Sequence, residues 1–318
     1  MKEKLKAGFV MDPFENLDRI DEDTSCSLIQ ECLKRKYDVY YMQIKDLELR
    51  KDQPWAKVCQ IKKREGEKFI LDKPQKIRLD ALQAIFIRKD PPFDLDYLYS
   101  TYILENVHSA LLINHPRGLR NANEKLYILN FPDLIPESLV TKNPEEIKKF
   151  LFKIDKPCIL KPLNRCSGKE VIYLEKDDIN LNSLLEIATR EGNRFVIIQE
   201  YLPQVREEGD KRILLLEGRA LGAMRRIPPP GDYRANIHRG ARYTQVEISR
   251  RDLEICQKIS PRLAEDGIYF AGLDIIGEKL VEINVTSPAG IPEINRLTGK
   301  TLEKTVIDWV EEKIKKRT

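Results

Sequence analysis

Two kinds of hydrophobic run alternate along the first third of the chain. Residues 5–11, LKAGFVM, are nearly all apolar and read as a strand buried on both faces, as in parallel sheets. Residues 24–36 place their apolar positions at helical spacing and residues 37–42 return to a strand pattern, so the three together predict a β-α-β unit. The alternation recurs as a strand at 84–87, a helix at about 96–107 and a strand at 110–113. A parallel-sheet unit is expected over residues 1–122. The charged, weakly periodic residues 51–76 predict only an excursion or hairpin.

After Asn121 the signals become antiparallel. Helices are expected at 123–130, 144–152, 181–191, 251–266 and 299–315, and strands at 138–141, 158–161, 171–174, 195–199, 212–216 and 220–226. A loop rich in Pro and Arg fills 228–242, and an apolar hairpin lies within GLDIIGEKLVEINVTSP, residues 272–288. The fold class is therefore α/β followed by α+β. No internal repeat or low-complexity tract interrupts it.

With 318 residues, 42% of them hydrophobic, the chain can bury two or three compact cores. Lys and Arg number 55 against 51 Asp and Glu, and the excess is spread along the chain, so nucleic acid is not implied. The start, MKEKLKAGFVMDPF, lacks the long apolar core of a signal peptide, and no uncharged run has bilayer length. A cytoplasmic protein without membrane contact is expected. Six cysteines without C-x-x-C spacing predict reduced thiols.

The hairpin carries the most informative chemistry. Glu282 and Asn284 are two apart and share a strand face. A three-residue loop, Gly277 to Lys279, would set Asp274 opposite Glu282, whereas a two-residue loop would set it opposite Val281 and on the other face. The three-residue loop thus gives two carboxylates and an amide around one point, a set suited to magnesium shared with substrate phosphates. The bland alternative is a solvated hairpin face.

Other groups point the same way. Lys161 ends an apolar strand beside the loop Asn164-Arg165-Cys166-Ser167-Gly168-Lys169, where a lysine can meet phosphate or simply snorkel. Gly168 supplies backbone freedom there, and Ser167 and Lys169 add donors. The strand FVIIQEYLP leaves through Glu200, Tyr201 and Leu202, whose extended backbone can read a purine edge. Arg212, Arg225, Arg226, Arg234, Arg239 and Arg242 concentrate guanidiniums suited to carboxylates and phosphoryl groups. His108, His115 and His238 are too scattered for a zinc site. No G-x-G-x-x-G follows the first strand, and MDPFEN and IRKDPPF stand instead as loops at carboxyl ends of strands, where open α/β sheets place ligands.

IRKDPPF, NEKL, ILKPL, DKR, RIP and GLDIIGEKLVEINVTSP together resemble bacterial glutathione synthetases of the ATP-grasp superfamily, in order and across nearly the whole chain. The resemblance implies a substrate domain at 1–122, a central lid at 123–200 and a catalytic ATP-grasp unit at 201–318. It implies ATP contacts from Lys125, Lys161 and Gly168, adenine contacts from Glu200, Tyr201 and Leu202, and a ribose contact from Asp210. Magnesium, with manganese as an alternative, would be held by Asp274, Glu282 and Asn284. Arg212 and Arg226 would steady the transferred phosphoryl group. Arg88, Arg234, Asn236, Gly240, Arg242, Asn284, Ser287 and Pro288 would line the site for γ-glutamylcysteine and glycine. A homo-oligomer is also implied. Two loops depart from the family by their scarcity of glycine: NRCSGKE, where Arg165 is expected to replace backbone donors by a guanidinium, and PPPGDYRANIHRGARY. A sister ligase with another amine or acid, or a non-catalytic nucleotide-binding regulator, are the competing readings.

Overall fold

The computed structural model describes residues 4–17, 19–166, 168–234 and 240–317. Strand β1 (Lys6–Met11) passes through helix α1 (Thr24–Lys34) to β2 (Asp38–Met42), followed by β3 (Leu47–Arg50), β4 (Gln53–Glu65), β5 (Lys68–Leu71) and β6 (Gln75–Arg78). Then come β7 (Ala84–Arg88), α2 (Leu95–Glu105) and β8 (Leu111–Ile113). β2, β1, β7 and β8 are neighbours in that order and parallel, as their apolar runs predict. Every residue of β7 is buried, including the charged Arg88 at its carboxyl end. Of the excursion or hairpin expected over 51–76, the hairpin forms, β4 with β5, and it joins the sheet. β4 lies antiparallel to β2 and also pairs with β3, β5 and β6, burying Pro54, Ala56 and Val58 on alternate positions. Exposed Lys62 and Lys63 in its second half dilute that period in the sequence.

The chain continues through α3 (Pro116–Asn121) into β9 (Ser138–Thr141), α4 (Pro144–Ile154), β10 (Cys158–Pro162), β11 (Ile172–Leu174), α5 (Leu181–Thr189) and β12 (Val196–Glu200). These strands form an antiparallel sheet in the order β11-β10-β12-β9. Its core is its own: Ile147 and Leu151 of α4 and Leu185 of α5 pack with Leu160 and Ile198. The helix expected at 123–130 is reduced to one 3-10 turn at Tyr127–Asn130. Before it, Asn123 Oδ1 accepts from the backbone of Lys125 and Leu126, a side-chain turn that competes with helix.

The third sheet follows α6 (Gln204–Glu207) and contains β13 (Asp210–Leu216), β14 (Arg219–Ile227), β15 (Arg242–Gln245) and, after α7 (Arg250–Glu265), β16 (Phe270–Ile276) and β17 (Lys279–Asn284). All its pairs are antiparallel, in the order β15-β14-β13-β16-β17. The helix expected at 299–315 is α9 (Leu302–Lys315); α8 (Ile291–Thr298), which ends at Gly299, was not expected from the sequence. Pro292 falls in the first turn of α8, where a missing N–H loses nothing. Two large apolar clusters each join residues of the first and third sheets: Val10 and Ile85 with Ile213 and Leu273, and Phe9 and Phe86 with Leu214 and Met224.

Candidate active site

β16 and β17 are joined by only two residues, Gly277 and Glu278, because Ile276 pairs with Lys279. The three-residue loop expected from the sequence is not used. A β-bulge does its work instead: Ile275 pairs with Leu280, Val281 is the extra residue, and Asp274 then pairs with Glu282 and Gly272 with Asn284. One inserted residue restores the parity that the shorter turn would reverse. Asp274, Glu282 and Asn284 therefore share a face, and Asn284 Nδ2 donates to Asp274 Oδ2 at 3.2 Å.

Arg212, opposite Asp274 on β13, clamps that carboxylate with Nε to Oδ1 at 2.6 Å and Nη2 to Oδ2 at 3.0 Å. Its Nη1 donates to Ala289 O at 3.2 Å. Arg226 on β14 grips Asp210 with two bonds of 2.7 Å and reaches Asp274 Oδ1 at 2.9 Å. Burial opposes the charge on Asp274, but Arg212 and Arg226 overcome it and hold the carboxyl well below the usual carboxylate range. Gly209 lets this network close. It has φ +74°, and a Cβ there would lie 2.0 Å from Arg226 O, so a side chain would push Asp210 off its partner. Both oxygens of Asp210 accept from Arg226, and each keeps a second lone pair.

Two lysines enter from the other side. Lys125 Nζ donates to Glu282 Oε1 at 3.0 Å and to Arg165 O at 2.6 Å. Lys161 Nζ donates to Gln199 Oε1 at 2.9 Å, and Gln199 passes the chain of bonds to Ser138 Oγ at 3.0 Å. Burial pushes the Lys161 ammonium down, while the Glu282 carboxylate favours its charged form. Gln199 is absent from the sequence-derived set. Its signal was a polar residue closing an apolar strand, and only 2% of it is exposed.

Gly168 has φ +65°, and its carbonyl accepts from Arg234 Nη1 at 3.4 Å, so the 228–242 loop meets the glycine-poor loop directly. Asp232, bonded by Arg234, is held down to about 2. Arg165 turns its guanidinium to Glu170 at 2.8 Å and offers its backbone carbonyl to Lys125. The guanidinium expected to substitute for phosphate-binding N–H groups is paired through Nε with a carboxylate on the same loop. Ser167, Asn236, His238 and Arg239 lie outside the described residues. Arg242 opens β15 on the surface, opposite Ile227, and among the described residues Gly240 has no atom within 4 Å of where a Cβ would stand.

Glu200 ends β12 and takes Lys156 Nζ at 2.5 Å. Tyr201 N donates to Pro157 O at 2.9 Å, while Leu202 O accepts from Val205 N at 3.2 Å. Tyr201 meets Tyr173 edge-on at 5.1 Å, within an apolar cluster that also takes Ile159 and Val205 and packs against Ile276 of the third sheet. At the first sheet's end, Arg88 Nε donates to Ser25 Oγ and Nη2 to Pro288 O, both at 3.0 Å. Its Nη1 is buried without a partner among the described residues. An orphaned buried donor is costly unless something else supplies an acceptor. Ser287 lies beside Asp90, whose carboxyl burial pushes up against Ser287 and Arg88. Arg117 and Arg120 are spent on Glu105, and His115 caps α3 by accepting from Arg117 N.

The donor chemistry fits a hard divalent cation. Asp274, Glu282 and Asn284 offer only oxygens, and among the described residues there is no cluster of three His, Cys, Asp or Glu that would cage an ion by itself. Two carboxylates and an amide are the partial shell that leaves room for water and phosphate oxygens.

An oxygen-lined hairpin faced by lysines and buried arginines thus lies with two antiparallel sheets and a parallel-sheet unit, and the ATP-grasp family model for this class of ligase matches it. The family models of the prokaryotic glutathione synthetase match residues 5–120 (N-terminal domain) and 124–299 (ATP-grasp domain). The chain belongs to the prokaryotic glutathione synthetase family. It is 39% identical to the glutathione synthetase of Synechocystis sp. over 320 residues, covering 96% of this chain and 99% of that one. It is 40% identical to that of Thermosynechococcus vestitus over 319 residues, covering 96% and 99%. Among solved structures, the D-cycloserine synthetase DcsG superposes with TM-score 0.68 at 14% identity, covering 96% of this chain and 99% of that one. The ATP-grasp ligase PsnB, complexed with its minimal precursor, gives 0.64 at 18%, covering 98% of both chains. At those identities the likeness is one of fold.

Proposed function

We propose that the protein joins γ-glutamylcysteine to glycine at the expense of ATP, releasing ADP and phosphate. The observation that carries this reading is the meeting of Asp274, Glu282 and Asn284 with Lys125, Arg212 and Arg226, in a chain whose relatives are glutathione synthetases.

A carboxylate is a poor electrophile until phosphorylated. The cysteinyl carboxylate oxygen attacks the γ-phosphorus as the bond to ADP breaks; the glycine nitrogen then attacks the acyl carbon, phosphate leaves, and the amine's surplus proton goes to solvent. Positioning and charge neutralisation dominate such a reaction, and no protein nucleophile is required. Lys125 and Lys161 take the phosphates, with Gly168 closing its loop over them. Lys125 exchanges Glu282 for a phosphate oxygen as it does so. Glu200, Tyr201 and Leu202 receive the purine beside Ile159 and Ile276, and Asp210 the ribose. Arg212 and Arg226 stand next to the transferred group. Arg88 offers its open Nη1 to the dipeptide, alongside Asn284, Ser287 and Pro288, while Arg234, Asn236, Gly240 and Arg242 belong to the loop that covers the site. Magnesium, or manganese in its place, supplies charge neutralisation at the phosphates when held by Asp274, Glu282 and Asn284.

The same reading divides the chain into a substrate unit at 1–122, a lid at 123–200 and a catalytic unit at 201–318, the lid closing on its own core. It places the protein in the cytoplasm; no helix among the described residues is long and apolar enough to cross a membrane. It includes a homo-oligomer, for which the exposed Leu95, Tyr99 and Tyr102 along α2 are available apolar surface.

ADP release measured with ATP, magnesium, γ-glutamylcysteine and a panel of amines tests the proposal. Release is expected only with the dipeptide and glycine together. Equal release with water, or with any dipeptide, would sink the glutathione reading while leaving the ligase class intact.

A further inference from the structure

Glu124, immediately before Lys125, gathers four donors from one short stretch of chain. Its backbone oxygen accepts from Ile283 N at 3.1 Å. Its Oε1 accepts from Val285 N at 3.0 Å, Thr286 N at 3.1 Å and Thr286 Oγ1 at 2.8 Å. β17 is the edge strand of its sheet, so no further strand is there to receive these amides. Three bonds converging on one oxygen fix the backbone firmly.

The other backbone group of Val285 is fixed as well. Asn114 Nδ2 donates to Val285 O at 2.8 Å and to Phe270 O at 2.7 Å, while its Oδ1 accepts from Phe270 N at 2.8 Å. Val285 is thus clamped through its N–H by Glu124 and through its carbonyl by Asn114. Asn284 lies inside the clamped stretch, and Ser287 and Pro288 follow it. Lys125, one residue beyond Glu124, is bonded to Glu282. Glu124 therefore sits where the phosphate-binding lysine and the oxygen-donor strand are joined, and no step of the ligase chemistry calls on it.

We infer that Glu124 is a positioning residue, locking the segment 283–286 against the turn that carries Lys125 and so setting Asn284 against Asp274. The inference rests on the reading of Asp274, Glu282 and Asn284 as the divalent-cation ligands. Its consequence is a division of labour: hydrogen-bond acceptance by Glu124, rather than its charge, governs how well the cation and the phosphates are held.

The test uses the full chain as Glu124→Ala, Glu124→Gln and Glu282→Gln, with Mn²⁺ binding in the presence of ADP read by electron paramagnetic resonance, and kcat and KM by ADP release. Thermal melts confirm folding. Glu124→Ala is expected to bind Mn²⁺ about tenfold more weakly and to lose on the order of a hundredfold in kcat, the scale of a small misplacement of reacting groups, with KM for the dipeptide within about threefold. Glu124→Gln keeps an acceptor oxygen and is expected to return Mn²⁺ binding to within about threefold of the unaltered protein. Where the alanine variant does not fold, Thr286→Val removes one donor alone and is expected to weaken Mn²⁺ binding about threefold. Mn²⁺ binding unmoved in Glu124→Ala but lost in Glu282→Gln would overturn the inference alone, as would a glutamine variant as weak as the alanine one. Mn²⁺ binding unmoved in Glu282→Gln would overturn the cation reading itself.

Discussion

Arg212→Met is expected to lower kcat by on the order of a thousandfold, the upper range for losing one preorganised electrostatic contributor. Arg212 makes both ends of a fork on Asp274 and also bonds Ala289 O, so its loss leaves a buried carboxylate with Arg226 as its only cation among the described residues and Asn284 as a neutral donor. Breaking a buried pair in this way typically costs about 3–5 kcal/mol of stability, and the shared hold of Arg226 places the expected value near the lower end. Arg212→Lys restores the charge but not the fork. It is expected to recover most of the stability and still turn over at least about tenfold slower. Urea unfolding midpoints beside ADP-release rates check both statements. A methionine variant with full turnover and an unmoved midpoint would remove Arg212 from the site.

Glu282→Gln separates charge from shape. The amide oxygen can still accept from Lys125 Nζ, which reaches Glu282 Oε1 at 3.0 Å, so the fold is expected to stay intact. One unit of negative charge is lost from a site that must balance a divalent cation against phosphates. Turnover is expected to fall on the order of a hundredfold or more, and the metal concentration for half-maximal rate to rise. An unchanged rate and metal requirement would refute the assignment of Glu282 as a ligand.

The order of elements was legible because buried parallel strands such as β1 and β7 read as unbroken apolar runs. The hairpin is the instructive case. The demand that Asp274 and Glu282 share a face was correct, but the device is the bulge at Val281, which apolar alternation alone cannot distinguish from a longer turn. The 123–130 segment misled because its residues favour helix locally, whereas Asn123 spends its side chain on a turn and Glu124 spends its own on Val285 and Thr286, just past β17. Motif residues were readable one by one as charges and oxygens. Their pairings were not: the grip of Arg226 on Asp210, the capture of Arg165 by Glu170 and the open nitrogen of Arg88 arise from contacts that only the folded chain makes.

The most direct measurement follows the oxygen atoms. γ-Glutamylcysteine labelled with ¹⁸O in its cysteinyl carboxylate is incubated with the protein, ATP, magnesium and glycine, and the products are weighed by mass spectrometry. An acyl-phosphate passes one carboxylate oxygen to the leaving phosphate, so each glutathione formed should be matched by one inorganic phosphate carrying one ¹⁸O. Unlabelled phosphate, or ADP formed without glutathione, would contradict the acyl-phosphate ligase.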